Sequence, residues 1–431
     1  MPEIDFIQTQ LRVEDRRTLG QKARDCAMLG AVLAVITGLF LFGLAIESSR
    51  YLVLYLVFAA VLFFGWQRFA ALDAWFKGLL RRNKIFAGVF LAALLVCYPL
   101  IFRHDAYLIH MGALAGIFVI MALGLNITLG FAGLLDVGFA VYFAAGAYTS
   151  AQLSIHFGIG FWPGLVLGGL VAAFFGFLVA WPALRVEGHY LAMVTLGYGL
   201  MMNILHRNFK FLTNGTDGVI NIPPPSIAGH EFVQPLSLFG LQLPFQANFY
   251  YLVVALIGIV VFVSLRLQNS RVGRCWEAIR EDEIAAKCFG IDLTRMKVIA
   301  FSTGAFFGGV GGATFAHMIG FVHPDNFMLL TSITILAMVL IGGAGNIMGV
   351  AVGAVLLIMI PERLRDFENL RLLLFGIAMV AIMIFRPQGL LPNVRRRRDL
   401  QETQVDRLIA DSGKDDPKMR AAPAARPEQA T

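Results

Sequence analysis

The stretch that decides the fold is TSITILAMVLIGGAGNIMGVAVGAVLLIMI, residues 331–360. It carries no charged side chain and is longer than the roughly 20 mostly apolar residues that a membrane-spanning helix needs. Its centre, Gly342-Gly343-Ala344-Gly345-Asn346, is rich in glycine, and glycine weakens a helix interior. The stretch therefore predicts two short apolar helices that form a hairpin broken near the middle of the membrane.

Apolar runs of similar character recur on both sides of this stretch, at 26–46, 51–65, 85–102, 107–129, 133–155, 161–184, 189–206, 249–267, 298–320 and 371–391. Hydrophobic residues make up 58% of the 431 residues and charged residues only 15%, against about 25% charged in a soluble domain. This composition points away from a water-soluble fold and excludes a disordered chain. It predicts an all-α fold, a polytopic transmembrane helical bundle of about 10–12 membrane segments that includes the broken or re-entrant hairpin near 331–360.

Changes in composition divide the chain into three parts. Residues 1–84 hold two apolar runs and a basic linker, and we expect an N-terminal extension with two transmembrane helices. Residues 85–394 hold the remaining apolar runs and are expected to form the core. Residues 395–431 are charged and then rich in Ala and Pro, which predicts a disordered cytoplasmic tail.

The basic residues predict the orientation in the membrane. Lys and Arg favour the cytoplasmic side of short loops. Counting the apolar runs as crossings places every strong basic cluster on one side, and these clusters lie at 12–24, 68–84, 266–297 and 395–398. We therefore expect both termini in the cytoplasm and the segments 206–248 and 320–330 outside. The basic loop 361–371 falls outside by this count and is a weak exception to the rule.

Two rows of glycine at four-residue spacing indicate close helix packing. Residues four apart share one helix face, and glycine leaves that face flat enough for another backbone to approach. The rows consist of Gly304, Gly308, Gly312, Gly345, Gly349 and Gly353. We expect them at helix contacts, around a pathway or at a subunit interface.

Three polar residues inside apolar runs are candidates for a translocation path: Asn126, Asp136 and Asn346. Each lies beside glycines, where an interrupted helix would expose backbone groups that can bind a zwitterion. Two of these breaks, at 130–133 and 342–345, share the pattern G-x-A-G, which suggests an internal repeat. The alternative is that Asp136 lies at the start of a helix and simply caps it.

The polar loop 266–297 contains a segment, 274–290, that is predicted to form a short cytoplasmic helix. It has no Gly or Pro between Arg274 and Phe289, and a glycine then favours a helix end. Small alanines, an acid and a nearby arginine would suit docking in a cleft of another protein. These coupling candidates are Glu283, Ala285, Ala286, Gly290 and Arg280. A solvated helical loop is the alternative.

Several patterns of catalytic and cofactor sites do not occur in the sequence. There is no G-xxxx-GK-[ST] loop for nucleotide phosphates and no G-x-S-x-G nucleophile motif. The few histidines lack the spacing of metal ligands. We therefore expect a transporter subunit rather than an enzyme, with no catalytic residue, cofactor or metal.

Several motifs together resemble LivM-type permeases, the membrane subunits of branched-chain amino acid ABC importers. The similar segments lie at 124–148, 188–197, 213–218, 274–286 and 385–392. They extend over roughly the whole of residues 85–392, and the last contains Arg386-Pro387-Gln388-Gly389-Leu390. The segment Glu283–Gly290 resembles the coupling loop of such permeases, with one inserted residue.

The resemblance implies a permease subunit of a high-affinity importer for Leu, Ile and Val in the bacterial inner membrane. The partners implied are a LivH-type second permease, two ATP-binding ABC subunits and a periplasmic amino-acid-binding protein, with membrane lipid around them and no nucleic acid. A related importer for urea, amides or other amino acids is an alternative. An alternative of another class is a stand-alone, ion-coupled secondary transporter.

We predict that the chain transports nothing by itself. It lacks a phosphate-binding loop, and Asp136 is the intramembrane acid available for ion coupling. Reconstituted alone in liposomes, it should take up no leucine when a proton or sodium gradient is imposed. Gradient-driven uptake would instead identify a secondary transporter.

Overall fold

A computed structural model describes residues 19–45, 55, 83–183, 189–227, 230–238, 241–363, 376, 380 and 389. The expected spans at 51–65 and 371–391 lie outside the described residues, apart from Tyr55, Gly376, Val380 and Gly389. The tail at 395–431 lies outside them as well. The chain divides into two compact units. The first lies within 1–113, 233–254 and 359–373, and the second within 114–232, 255–358 and 374–431.

The described residues are overwhelmingly helical, which confirms the predicted all-α transmembrane bundle. The α-helices are α1 (Leu19–Ala45), α2 (Lys84–Ile101), α3 (Ala106–Leu125), α4 (Ala140–Phe157), α5 (Phe161–Ala183), α6 (His189–Asn208), α7 (Lys210–Thr213), α8 (Gln246–Gln268), α9 (Arg271–Glu281), α10 (Glu283–Cys288), α11 (Leu293–Ile319), α12 (Leu329–Gly342) and α13 (Ile347–Arg363). A π-helix, Asn126–Phe131, continues α3, and two 3-10 turns lie at Gly215–Asp217 and Pro324–Phe327.

Short strands occur between α7 and α8. Strands β1 (Ser226–Ile227) and β2 (His230–Glu231) pair antiparallel, and so do β3 (Leu236–Leu238) and β4 (Leu241–Leu243). Each pair is a local hairpin, so neither changes the helical architecture.

Five helical segments among the described residues are long and apolar enough to cross a membrane: Arg24–Gly43, Ala106–Phe131, Phe161–Pro182, Gln246–Gln268 and Leu293–Ile319. Helix α2 and the two hairpin helices are apolar but shorter. Helices α4 and α6 overlap the expected spans 133–155 and 189–206 and end two residues beyond them. They carry more polar side chains than the five long apolar segments.

The broken hairpin predicted at 331–360 is confirmed. Helix α12 ends at Gly342 and α13 begins at Ile347. Gly343 and Gly345 have φ values of 106° and 88°, which side chains with a Cβ rarely adopt. The Asn346 side chain then accepts the amides of Met348 at 3.1 Å and Gly349 at 3.3 Å, and this caps α13.

Two sequence expectations about helix bounds were wrong. Gly345 lies in the turn before α13, so it does not share a helix face with Gly349 and Gly353. The expected span 133–155 becomes helical only at Ala140. The residues before it turn at Gly133, with φ of 74°, and lead into a non-helical segment, 132–139, which contains Asp136.

The core of the second unit forms where α11 packs on α4 and α5. A methyl group placed on Gly304 would lie 2.8 Å from the carbonyl oxygen of Gly124, and one on Gly308 would lie 3.1 Å from the Cβ of Tyr142. A methyl group on Gly312 would lie even closer to the carbonyl oxygen of Phe143. The first glycine row therefore lies at helix contacts, as expected.

In the first unit, tyrosine hydroxyls join α2 to its neighbours. Tyr98 donates to the Leu108 carbonyl at 3.0 Å, and Tyr250 donates to the Leu95 carbonyl at 3.0 Å. The two rings stack with centroids 5.2 Å apart. These bonds satisfy the polar ends of side chains that would be costly to leave unpaired in an apolar setting.

Replacement of Gly312 by Leu should destabilise the chain, because no side chain fits between α11 and the Phe143 backbone. Overpacking of this kind typically costs about 1–3 kcal/mol. The matched control is Gly258→Leu in α8, where nothing lies within 4 Å of the added methyl group. Thermal unfolding of both variants in detergent is the measurement. Equal melting temperatures for the two variants would contradict the packing described for α11.

Candidate functional site

The two G-x-A-G breaks lie against each other. The amide of Gly345 donates to Oδ1 of Asn126 at 2.8 Å, and a methyl group on Gly130 would lie 2.6 Å from the nitrogen of Gly345. The contact therefore joins the break at 130–133 to the break at 342–345. In the membrane a backbone amide freed by a broken helix needs a partner within the protein, and the Asn126 side chain supplies it.

The first break is a π-helix that widens the end of α3. The Ala132 amide donates to the Ile127 carbonyl at 3.2 Å, which is the five-residue spacing of a π-helix. The Thr128 hydroxyl donates to the Leu125 carbonyl at 2.9 Å. Such bulges are frequent at functional sites. Here the wider turn places Asn126 against the second break.

The break also receives Gly389 of the C-terminal Arg-Pro-Gln-Gly segment. Gly389 has a φ of 81°, and a methyl group on it would lie 2.5 Å from the Cα of Gly343. Only glycine fits so close a backbone approach. We call the set Asn126, Gly130, Gly343, Gly345 and Gly389 the break cluster.

The polar segment expected as one helix, 274–290, consists of two short helices. Asp282 interrupts it with extended backbone and accepts the amides of Ile284 at 2.8 Å and Ala285 at 2.9 Å, which caps α10. The helix stop expected at Gly290 is confirmed. Its φ is 80°, and the amide of the next residue, Ile291, donates back to Ala286 at 3.2 Å.

The pair α9–α10 is fastened to the start of α11. The Trp276 ring is fully buried, and its Nε1 donates to the Met296 carbonyl at 2.9 Å. Lys297 Nζ lies 2.7 Å from Glu283 Oε2. Glu283 was expected to anchor a partner protein, but the structure pairs it with Lys297 of the same chain.

Arg280 connects α9 to the break cluster. Its guanidinium donates to the carbonyl of Gly130, and a methyl group on Gly133 would lie 2.8 Å from its Cγ. The sequence suggested a position at the rim of a partner interface. Instead Arg280 satisfies a carbonyl in the π-helix, a group that would otherwise lack an intrahelical partner.

The exposed face of α10 differs from the one expected. Ala286 is only 2% exposed, because it packs within this chain, so it is not a surface residue. Ala285 is exposed as expected. The most exposed apolar side chains of the segment are Ile284 at 77% and Phe289 at 87%.

Asp136 lies in the non-helical segment before α4 and is fully buried. Its Oδ1 accepts the Gly138 amide at 3.0 Å, two residues before α4 begins. Ser332 instead accepts the amide of Ala140, the first residue of α4, at 2.8 Å. Asp136 therefore stabilises the turn before the helix. The alternative interpretation required Asp136 to cap the helix start, but Ser332 accepts the first amide of α4 instead.

The second carboxylate oxygen of Asp136 has no hydrogen-bond partner among the described residues. Tyr142 of α4 and Tyr198 of α6 lie beside this carboxylate and interact with it electrostatically. Neither hydroxyl forms a hydrogen bond of normal geometry with another described residue. Thr195 closes the segment from the side of α6, because its Oγ1 accepts the Val137 amide at 3.0 Å.

The three path candidates therefore have different surroundings. Asn126 and Asn346 both stabilise breaks, since one binds the Gly345 amide and the other caps α13. Asn126 Nδ2 and Asp136 Oδ2 both lack a hydrogen-bond partner among the described residues, but of these two side chains only that of Asp136 is ionisable.

Four residues of this region were not among the candidates predicted from the sequence: Tyr142, Tyr198, Thr195 and Lys297. Thr195 lies within the segment 188–197, one of the segments that resemble the family. The tyrosines gave a weaker signal, because tyrosines are common in apolar runs at membrane interfaces.

Comparison with known proteins gives the family. Residues 107–383 match the family described as branched-chain amino acid transport system / permease component. The chain is 40% identical over 332 residues to the high-affinity branched-chain amino acid transport system permease protein LivM of Salmonella typhimurium, which covers 74% of this chain and 78% of the relative. LivM of Escherichia coli K12 is equally similar, at 40% identity over 74% of this chain and 77% of its own.

A more distant relative is the probable branched-chain amino acid transport permease protein LivM of Methanocaldococcus jannaschii. It is 24% identical over 64% of this chain and 91% of its own. No solved structure matches the chain. The family match covers more than half of the chain and includes the break cluster up to Gly345, α9 and α10. With its apolar helices, this multi-pass membrane protein belongs to the permease family of branched-chain amino acid transport systems.

Proposed function

We infer that the chain is the permease subunit of a high-affinity ABC importer for branched-chain amino acids. It forms part of the translocation path and transmits the movement of ATPase subunits to that path. The contact of Arg280 with Gly130 carries this proposal, because it joins a polar segment of the chain directly to a break between membrane helices. The similarity to the two LivM proteins supports the substrate class.

The importer has further subunits in this proposal. Two ATP-binding subunits supply the nucleotide site, since this chain has no phosphate-binding loop of its own. A LivH-type permease completes the membrane path, and a periplasmic protein delivers the amino acid. The basic clusters favour cytoplasmic termini and put α9–α10 on the same side, where the ATPase subunits lie.

The proposed ATPase-docking surface is the exposed apolar face of α10, formed by Ile284, Ala285 and Phe289. Large apolar side chains on a polar, water-facing segment gain free energy when a partner buries them, at roughly 25 cal/mol per Å². Trp276 and the ion pair of Lys297 with Glu283 hold the segment against α11. A push on Ile284 or Phe289 would therefore move α9–α10 as one body.

The second part of the proposal is a path for that movement. Arg280 bonds the Gly130 carbonyl, and Asn126 of the same π-helix bonds the Gly345 amide of the hairpin. A displacement of α9 is thereby passed to the break cluster through two hydrogen bonds. Such a path couples the sites only if the break has two arrangements, which alternating access requires.

Truncation of the docking surface should release the ATPase subunits. Ile284→Ala and Phe289→Ala should each weaken co-purification of the ATPase subunits by roughly ten-fold or more, as truncation of an interface hot spot does. The matched control is Ile220→Ala, since Ile220 is also highly exposed, at 62%, but lies in the segment before β1. Quantified subunit ratios in the purified complex are the measurement. Full retention in both test variants would show that another surface binds the ATPases.

Removal of the Arg280 guanidinium should leave the complex assembled but uncoupled. We expect Arg280→Ala to hydrolyse ATP while leucine uptake falls about ten-fold or more, because the loss of one charged hydrogen bond corresponds to about 1.5–3 kcal/mol. Arg274→Ala is the control, since it removes the same charge from an exposed position of the same helix. The two rates are measured together in proteoliposomes. Normal coupling in Arg280→Ala would exclude this contact as the route of movement.

A further inference from the structure

The buried surroundings of Asp136 contain three oxygen atoms without hydrogen-bond partners among the described residues. They are Oδ2 of Asp136 and the hydroxyl oxygens of Tyr142 and Tyr198. Asp136 is 0% exposed and Tyr142 is 1% exposed. Buried polar groups almost always have a partner, so an unpaired carboxylate oxygen beside two unpaired hydroxyl oxygens calls for an explanation.

The charge at this place is also unbalanced. No ion pair is formed by Asp136 within the part of the chain that the structure describes, and its Oδ1 accepts the Gly138 amide. A carboxylate in the interior of a membrane protein usually faces a partner or a functional cavity. The missing partner should therefore be positively charged and should donate hydrogen bonds.

A primary ammonium group fits this arrangement. It carries one positive charge and three N–H donors, which match one carboxylate oxygen and two hydroxyl oxygens that can accept. The carboxylate end of an amino acid would be repelled by Asp136, so the fit fixes which end of a zwitterion is bound. A sodium ion has the same charge and also prefers oxygen ligands, so it is the competing source of the same chemistry.

The backbone around Asp136 is built for a close approach of α6. A methyl group on Gly199 would lie 3.3 Å from the Cα of Gly138, and Gly138 itself lies against the Thr195 carbonyl. In this arrangement the cluster is closed. A movement of α6 away from the segment 132–139 would separate Tyr198 from Asp136 and open the cluster to a ligand.

We propose that Asp136, Tyr142 and Tyr198 bind the ammonium group of the transported amino acid as it passes through the permease. This assignment rests on the proposed import function and adds the polar end of the substrate that the path recognises. This cluster would contact the ammonium group and not the apolar side chain of the substrate. It can therefore bind several branched-chain amino acids in the same way.

The first test is transport by the reconstituted importer complex. Asp136→Asn should lower ATP-driven leucine uptake by about ten-fold or more, and Tyr142→Phe and Tyr198→Phe should each lower it by several-fold, as loss of hydrogen bonds to a charged group does. Hydrolysis of ATP stimulated by the binding protein should persist in all three. The matched control is Tyr148→Phe, because Tyr148 is a second buried tyrosine of α4 with an unpaired hydroxyl. Normal uptake by Asp136→Asn would overturn the assignment.

The second test measures binding directly and separates the sources of the cation. The melting temperature of the complex without the binding protein is measured in the presence of leucine, 3-methylbutylamine or 4-methylpentanoate. It is also compared between sodium chloride and choline chloride. Leucine and the amine should raise the melting temperature of the wild type but not of Asp136→Asn. A rise caused by sodium alone, or an equal rise with 4-methylpentanoate, would overturn the ammonium site.

The two proposals fail in different ways. A wild-type complex that takes up no leucine with ATP would overturn the import function on which the site rests. If the complex imports leucine normally but neither leucine nor 3-methylbutylamine changes its melting temperature, only the ammonium site is overturned.

Discussion

A backbone group freed by a broken membrane helix must find its partner inside the protein, because no water is available to it in the bilayer core. In this permease the hydrogen bond from the Gly345 amide to the Asn126 side chain meets that requirement between two breaks. The glycines at 130, 343 and 389 leave no side chains between the backbones that meet there. The break cluster is therefore a compact joint that a side chain could not enter without moving the helices apart.

The same joint explains why a polar loop can act on the membrane core. Arg280 supplies a donor for a π-helix carbonyl, so the requirement to satisfy backbone groups also ties α9 to the break. On its buried side the α9–α10 segment is held to α11 by the hydrogen bond of Trp276 to the Met296 carbonyl and by the ion pair of Glu283 with Lys297. Ile284 and Phe289 lie on the other side and are exposed. One side of this short segment is therefore bound to α11 and the other is free to bind a partner. Such a segment can transmit a movement of the partner to the membrane helices.

Features that depend on neighbouring residues could be predicted from the sequence, whereas features that depend on contacts between distant residues could not. The hairpin break followed from three glycines and an asparagine, and the helix end from Gly290. The π-helix, the pairing of Asn126 with Gly345 and the burial of Ala286 depend on residues far away in the chain, so no local pattern indicates them. The late start of α4 was missed for the same reason, because Thr195 and Ser332 stabilise the non-helical segment and the helix start from other helices.

The central claim is that nucleotide-driven movement of α9–α10 reaches the break cluster through Arg280 and Asn126. Hydrogen exchange of the Gly345 amide in the intact importer complex tests it most directly, because that amide is the donor in the joint. We expect the protection of this amide to differ between the ATP-bound and nucleotide-free states of the wild type and to become the same in both when Arg280 is replaced by Ala. Equal protection of the Gly345 amide in the two states of the wild type would contradict it.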